Sequence, residues 1–173
     1  NTGLSPEVWS EGLGWYALIV VETLADMPKD HPQRPEIEAI FRRLAVGLKR
    51  TQDVPTGRWF QVVDKGDRPD NWTDNSGSAM FTYALQRGIE LGLIDKNEFE
   101  PVVRKGYHGI VENARINAKG LVDIYSACDG LGVQASYDKY INYKKMVNAK
   151  EAVAGFLWAT EIVERPQLEK MKK

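Results

Sequence analysis

The sequence predicts an all-α protein laid out as an α/α toroid, a ring of inner helices covered by outer helices. Three observations predict this: five helical stretches, two alternating hydrophobic patterns among them, and a degenerate repeat with a glycine turn ahead of each inner helix. The composition suits one soluble globular domain, because 43% of the 173 residues are hydrophobic and 27% are charged.

The five helical stretches are of two kinds. Residues 36–50 and 99–111 are amphipathic, with apolar side chains at helical spacing and charged side chains on the opposite face. Residues 15–21, 79–85 and 152–159 are apolar on nearly every side, so each of these helices should be covered on every side. Because the two kinds alternate along the chain, we expect the apolar helices to form an inner layer and the amphipathic helices to form an outer layer. An up-and-down bundle would make all the helices similarly amphipathic.

An internal repeat supports this layout, since the three buried helices share an aromatic–alanine pair and each follows a glycine turn. The pairs are Tyr16-Ala17, Tyr83-Ala84 and Trp158-Ala159, and the turns contain Gly3, Gly57 and Gly120. Units of this kind stack because none can bury its apolar face alone. Long polar loops, residues 57–78 and 120–147, precede two of the buried helices and should emerge at one end of the ring.

Charge and composition exclude several classes of partner. Lys and Arg number 23 against 24 Asp and Glu, so the chain lacks the basic excess typical of nucleic-acid binding. The longest apolar run, residues 15–21, is too short to cross a bilayer, and we expect no membrane partner. With one cysteine and two histidines, we also expect no disulfide framework, no metal and no cofactor.

Two further groups of reactive side chains have simple structural explanations. Four aspartates share one loop: Asp64, Asp67, Asp70 and Asp74. They lack the pattern of a calcium loop, so turn formation is expected, with Asp74 capping the next helix. Cys128 would need a histidine base to act as a nucleophile, and both histidines fall in outer-helix segments. We therefore expect no cysteine mechanism.

The best candidate for a binding segment is residues 9–15, at the entry of the first buried helix. Trp9 and Trp15 flank two glycines there, and indole faces stack on the C–H faces of sugar rings. Packing of both tryptophans in the core is the competing explanation. In the last long loop, Ser126 and Asp129 are candidates for polar substrate contacts, with anchoring of the loop by these side chains as the alternative.

Residues 2–15, TGLSPEVWSEGLGW, resemble a segment of the unsaturated rhamnogalacturonyl and glucuronyl hydrolases, glycoside hydrolase families 105 and 88. Residues 59–68, followed by residues 76–85, are similar to the next block of the same families, and residues 147–157 are similar to their last inner helix, in the same order. The resemblance implies an (α/α)6 toroid of which residues 1–173 form the C-terminal part, about half of the ring.

The resemblance also implies a reaction. Enzymes of these families hydrate the C4–C5 double bond of an unsaturated uronic acid that ends a pectin- or rhamnogalacturonan-type lyase product. Their acid, an aspartate, lies upstream of the matched segment, so we expect no catalytic residue in this chain. Trp9 and Trp15 would form the platform for the sugar. Glu11 stands where the families commonly have arginine, and it would repel a uronate carboxylate unless protonated or paired.

Two other hypotheses remain open: a catalytically inactive helical-repeat fragment with a carbohydrate-binding surface, and another (α/α)6 glycosidase or lyase. The expected substrate partner is an oligosaccharide that ends in an unsaturated uronate. Half a ring leaves inner helices uncovered, so we also expect contact with a missing N-terminal half, or self-association. The bacterial cytoplasm or periplasm is the expected location.

Overall fold

The computed structural model of the chain describes residues 3–171, with side chains through residue 165. Its elements are α1 (Ser10–Asp26), α2 (Arg34–Thr51), β1 (Trp59–Phe60), β2 (Thr73–Asp74), α3 (Asn75–Glu90), α4 (Lys96–Val111), β3 (Ala114–Ile116), β4 (Val122–Ile124), α5 (Tyr137–Ile141) and α6 (Lys150–Met171). The five predicted helices are α1 to α4 and α6. Antiparallel pairs β1–β2 and β3–β4 and the short α5 add local order to the connections between them.

The helices form two layers, as the alternation of patterns predicts. In the inner layer, α3 packs along α1 on one side and along α6 on the other. In the outer layer, α4 packs on α3 and α2 packs on α1. The main core lies between the layers, where Phe41 and Leu48 of α2 meet Phe81 and Leu85 of α3. This arrangement confirms the predicted partial α/α toroid.

Among the described residues, α3 is the inner helix that is covered on every side, whereas α1 and α6 keep exposed apolar side chains, as expected for half a ring. Met80 and Phe81 of α3 are completely buried. By contrast, Ile19 of α1 is 65% exposed and Leu157 of α6 is 61% exposed. The reason is the position in the row: α3 has an inner helix on each side, whereas α1 and α6 end the row in the described part of the chain.

Glycines allow the three inner helices to approach closely. A Cβ atom at Gly77 of α3 would lie 2.6 Å from the carbonyl oxygen of Ser10 at the start of α1. A Cβ atom at Gly14 would lie 3.3 Å from the Cα atom of Gly77. On the other side, a Cβ atom at Gly155 of α6 would lie 3.1 Å from the Cβ atom of Ala79. The backbone of α3 is therefore nearly in contact with both neighbours.

We expect Gly77→Ala to lower the free energy of unfolding by about 2 kcal/mol, because the added methyl group would push the backbone of Ser10 away. Gly47→Ala in α2 is the matched control. Its Cβ position is open, so the higher helix propensity of alanine should raise stability by up to about 1 kcal/mol. Urea unfolding followed by circular dichroism measures both changes. Equal effects of the two substitutions would contradict the close approach.

The predicted glycine turns are present. Each of the three glycines has a left-handed backbone that glycine adopts most readily, with φ of 71° at Gly3, 70° at Gly57 and 75° at Gly120. At Gly57 a side chain would also clash with the backbone of Lys105 in α4. The repeat read from the sequence thus corresponds to a repeated backbone conformation ahead of each inner helix.

The long loops meet at one end of the inner layer, as predicted. The backbone N–H of Ser10 donates to the carbonyl oxygen of Gln61, 2.9 Å away in the loop after β1. The N–H of Asn75 donates to the carbonyl oxygen of Ser126, 2.7 Å away in the last long loop. These bonds bring both loops to the N-terminal ends of α1 and α3.

Candidate functional site

Three carboxyl groups lie at the N-terminal ends of the three inner helices. Glu11 is the second residue of α1, Asp74 is the N-cap of α3, and Glu151 is the second residue of α6. The amide groups at a helix N-terminus favour a negative charge nearby. Glu151 and Asp74 both raise the pKa of Glu11 through their charges, so the three helix ends share one electrostatic environment.

Glu11 is the central carboxyl group of this set. Only 5% of the residue is exposed, and Oε2 accepts a hydrogen bond of 3.2 Å from the backbone N–H of Leu131. Burial, reinforced by the charges of Glu151 and Asp74, raises the pKa of Glu11 to about 7, against the opposing effect of the N–H groups of Leu131 and Trp15. Among the described residues, no lysine or arginine forms a salt bridge with Glu11. At neutral pH Glu11 is therefore present in both the protonated and the ionised form.

Asp74 has a structural role that the sequence predicted. Its fully buried Oδ2 accepts hydrogen bonds of 2.7 Å each from the N–H of Gly77 and the hydroxyl of Ser76, which caps α3. Burial raises the pKa of Asp74, and these hydrogen bonds oppose the shift. The prediction that Asp74 caps the following helix is confirmed.

Asn75 and Ser126 lie where α3 meets the last long loop. The side chain of Asn75 is completely buried, and neither amide atom has a hydrogen-bond partner among the described residues. Ser126 has a left-handed backbone with φ of 59°, and its hydroxyl donates to Oδ1 of Asn113 at 3.2 Å. Ser126 therefore helps to anchor this loop, and a substrate contact by its hydroxyl stays a prediction.

Asp129, in the same loop, has a different partner. The Asp129 carboxylate forms a salt bridge of 3.1 Å with Lys144, and its N–H donates to the carbonyl oxygen of Lys144. In this loop it is the N–H of Leu131, two residues later, that donates to Glu11. The structure thus places Asp129 near the site but not among its carboxyl groups, and its contact with substrate stays a prediction.

The two predicted tryptophans occupy different environments. Trp9 stacks on Tyr140 of α5 with ring centroids 5.5 Å apart, and the missing side chain of Gly12 leaves room for its indole. Trp15 keeps 39% of its surface exposed. The packing explanation therefore describes much of Trp9, whereas Trp15 has surface free for a ligand. A platform made by both residues stays a prediction.

Trp15 has an aromatic neighbour that the sequence analysis did not select. It meets Trp158 of α6 edge to face, with centroids 6.0 Å apart and planes at 77°. Trp158 is also 39% exposed. We call these two residues the aromatic corner.

Sequence reasoning missed Glu151 and Trp158, although a signal for them exists. In α1 an acidic residue of the first turn is followed by a glycine and a tryptophan, and α6 repeats this order. The first set is Glu11, Gly14 and Trp15; the second is Glu151, Gly155 and Trp158. Aligning the inner helices by their first turns would have placed Glu151 opposite Glu11. Trp158 lies three positions further along α6 than Trp15 lies along α1, so its contact with Trp15 is visible only in the structure.

Cys128 is a further reactive group that the sequence singled out. Cys128 is buried and accepts a hydrogen bond of 3.3 Å from the amide of Gln61. Burial raises its pKa to about 12, with Asp74 and Glu11 adding to the shift, so its thiol is a poor nucleophile. No set of three His, Cys, Asp or Glu side chains in the described part converges as a metal site would require. No described helix combines the length and apolar character needed to span a membrane.

Comparison with known proteins decides the family, because the model of glycosyl hydrolase family 88 matches residues 1–166. The chain belongs to glycosyl hydrolase family 88. A solved glycoside hydrolase from family 105 of C. acetobutylicum ATCC 824 is similar to this family 88 chain with a TM-score of 0.88 and 29% identity. The match covers 95% of this chain and 48% of that one. The predicted resemblance to families 88 and 105 is confirmed.

Curated relatives of the family 88 chain are also longer than it is. Protein Atu3128 of Agrobacterium fabrum is 35% identical over 105 residues, which are 61% of this chain and 44% of that protein. An unsaturated 3S-rhamnoglycuronyl hydrolase of Formosa agariphila is 32% identical over 104 residues, covering 60% of this chain and 27% of that protein. The match spans less than half the length of these relatives.

Proposed function

We propose that the complete protein is a glycoside hydrolase that acts on oligosaccharides ending in an unsaturated uronic acid, of the pectin or rhamnogalacturonan lyase-product type. Membership in family 88 identifies the chain as a glycoside hydrolase by resemblance. The name of the Formosa relative supports the unsaturated substrate. In this reaction an aspartate protonates the C4–C5 double bond, water adds, and the hydrated sugar rearranges to release its neighbour.

One observation carries the proposal for this chain: an exposed indole lies on the same helix face as a buried carboxyl group, Glu11, whose pKa is raised by burial. Trp15 follows Glu11 by one helical turn. The indole offers a face for a sugar ring, and Glu11 can donate a hydrogen bond to a sugar hydroxyl when protonated or accept one when ionised. Trp9, Ser126 and Asp129 are proposed as further contacts at the rim of the site.

The catalytic aspartate is proposed to come from outside residues 1–173, in the part that completes the toroid as its N-terminal half. The open faces of α1 and α6 support this proposal. Their exposed apolar side chains include Tyr16, Ile19 and Leu157. Such surface is normally covered by a partner, and the matched family 105 chain has about as much additional length as this chain.

The test is an activity assay on the full-length protein. Hydration removes the conjugated double bond, so the ultraviolet absorbance of an unsaturated disaccharide should fall with time. We expect Trp15→Ala to raise KM about tenfold, because the exposed 39% of Trp15 is proposed to contact sugar, and to change the melting temperature less than a substitution in the core would.

Two outcomes would contradict the proposal. If the absorbance of several lyase products does not change with the full-length protein, the hydrolase is excluded, and sugar binding without turnover would favour an inactive carbohydrate-binding protein. If Trp15→Ala lowers stability without changing KM, Trp15 is a packing residue.

A further inference from the structure

We infer that Trp158 of α6 is a further sugar-binding residue, and that the aromatic corner holds a neutral pyranose unit whose hydroxyls reach Glu11 and Glu151. This inference rests on the proposed function and specifies what part of the substrate the site takes.

The shape of the aromatic corner suits a sugar ring. Trp15 and Trp158 meet at 77° with centroids 6.0 Å apart, so one indole presents its edge to the face of the other. Each is 39% exposed, which leaves a free aromatic surface on both sides of the corner. A pyranose can stack its C–H face on one indole while the second limits its sideways movement.

Close helix contacts fix the position of both indoles. Gly14, directly before Trp15, packs against α3, and a Cβ atom there would lie 3.0 Å from the Cβ atom of Met80. Gly155, one turn before Trp158, packs against α3 on its other side, where a Cβ atom would lie 3.3 Å from the carbonyl oxygen of Ser76. Because backbone contacts hold both segments on α3, the corner is formed before any ligand arrives.

Acceptors for sugar hydroxyls lie on the same helix faces as the indoles. Glu151 precedes Trp158 by seven residues, two helical turns, as Glu11 precedes Trp15 by one turn. The Oε2 atom of Glu151 is buried and has no hydrogen-bond partner among the described residues. A buried oxygen without a partner is unusual in proteins, and a hydroxyl group of a ligand would satisfy it.

The charges around the corner select a neutral sugar. The groups that act on Glu11 are the carboxyl groups of Glu151 on α6 and Asp74 at α3, the N–H of Leu131 in the last long loop and the indole N–H of Trp15. The Cys128 thiol also lies within the field of Glu11 and is protonated at neutral pH. Three carboxyl groups already occupy these helix ends, and the N–H groups of Leu131 and Trp15 already act on Glu11, so a further carboxylate or sulfate placed here would be repelled by Glu11, Glu151 and Asp74.

The experiment uses the full-length protein and compares Trp158→Ala with Leu157→Ala. Leu157 is the adjacent residue and is 61% exposed. Its substitution therefore measures the effect of losing contacts between α6 and another part of the protein, without loss of an indole. Kd is measured by tryptophan fluorescence with an unsaturated disaccharide whose second unit is neutral, and KM, kcat and melting temperature are measured alongside. We expect Trp158→Ala to raise Kd and KM about fivefold to tenfold with kcat within about twofold, and Leu157→Ala to leave Kd unchanged.

Each result decides for or against the inference. An unchanged Kd in Trp158→Ala, or an equal rise in Leu157→Ala, overturns it. If Trp158→Ala does not fold, Trp158→Phe replaces it, and a Kd raised about twofold at an unchanged melting temperature supports the inference.

A disaccharide with a uronate as its second unit should bind at least about tenfold more weakly, and equal binding overturns the selection of a neutral unit. If the wild type binds the disaccharide without turnover, the proposed hydrolase activity is refuted, but the Kd values of the variants still test the sugar-binding role of Trp158. If the wild type does not bind the disaccharide, both the proposed activity and this inference are refuted.

Discussion

Replacing Asp74 with alanine is expected to lower the free energy of unfolding by about 3 kcal/mol. The carboxylate accepts hydrogen bonds from the N–H of Gly77 and the hydroxyl of Ser76 inside the protein. Alanine removes the acceptor that caps α3 and leaves two buried donors, the N–H of Gly77 and the hydroxyl of Ser76, unpaired at about 1.5 kcal/mol each.

Two control variants identify the cause of this loss. Asp95 caps α4 in the same way, accepting from the N–H of Glu98 at 2.9 Å, but that bond is exposed to water. Asp95→Ala should therefore cost only about 1 kcal/mol. Asp74→Asn keeps an acceptor oxygen and should also cost about 1 kcal/mol, since burial already favours the neutral form of Asp74. Urea unfolding at pH 7 measures all three, and equal losses in Asp74→Ala and Asp95→Ala would refute the role of burial.

The second large effect is a change in the pH dependence of stability when Glu11 becomes glutamine. Burial raises the pKa of Glu11 from 4.5 to about 7 in the folded protein. Below pH 4.5 the group is protonated in both states. Between pH 4.5 and 7 the unfolded chain releases this proton while the folded protein retains it, so the contribution of Glu11 to stability falls as the pH rises. Above pH 7 it stays at its lower level.

Glutamine cannot ionise, and its amide oxygen can still accept the N–H of Leu131. From pH 4.5 to 7.5 the free energy of unfolding of Glu11→Gln should therefore rise by roughly 2 kcal/mol relative to the wild type, an amount reduced by solvent screening. Urea unfolding at a series of pH values gives this difference. Parallel curves for the two proteins would show that Glu11 keeps an ordinary pKa.

Glu38 in α2 provides a control, because its contribution to stability changes with pH in the opposite direction to that of Glu11. Salt bridges of 2.8 Å with Arg34 and Arg42 lower the pKa of Glu38, against the effect of desolvation. Its contribution to stability is present above its unfolded pKa and is lost as the pH falls through the folded pKa. Glu38→Gln should differ from the wild type mainly at neutral pH, and the difference should shrink in acid.

The helices and their order could be predicted from the sequence because hydrophobic spacing is a local property. Residues 36–50 carry one apolar stripe and form an outer helix, whereas residues 79–85 are apolar throughout and form the buried α3. The turn at Gly57 was predictable for the same reason, since glycine readily adopts its positive φ. The expectation of half a ring implied that some inner helices stay open, but which side chains are exposed was not predictable, because the pattern of α1 describes the helix and not the neighbours around it.

The site was harder to predict because it depends on contacts between distant parts of the chain. Trp9 and Trp15 look equivalent in the sequence, yet only Trp9 meets Tyr140 of the short α5. Glu151 gains its place beside Glu11 only because α3 holds α1 and α6 on its two sides. Residue types therefore indicated a sugar site, and the packing of three helices determined which residues belong to it.

The hydrogen bond from Leu131 to Glu11 joins residues 120 positions apart in the chain. Contacts this distant form slowly during folding, since a long loop must close first. The N–H of Leu131 also opposes the rise in the pKa of Glu11 that burial causes. The final environment of this carboxyl group is thus complete only after the segment around Leu131 has been synthesised and has docked.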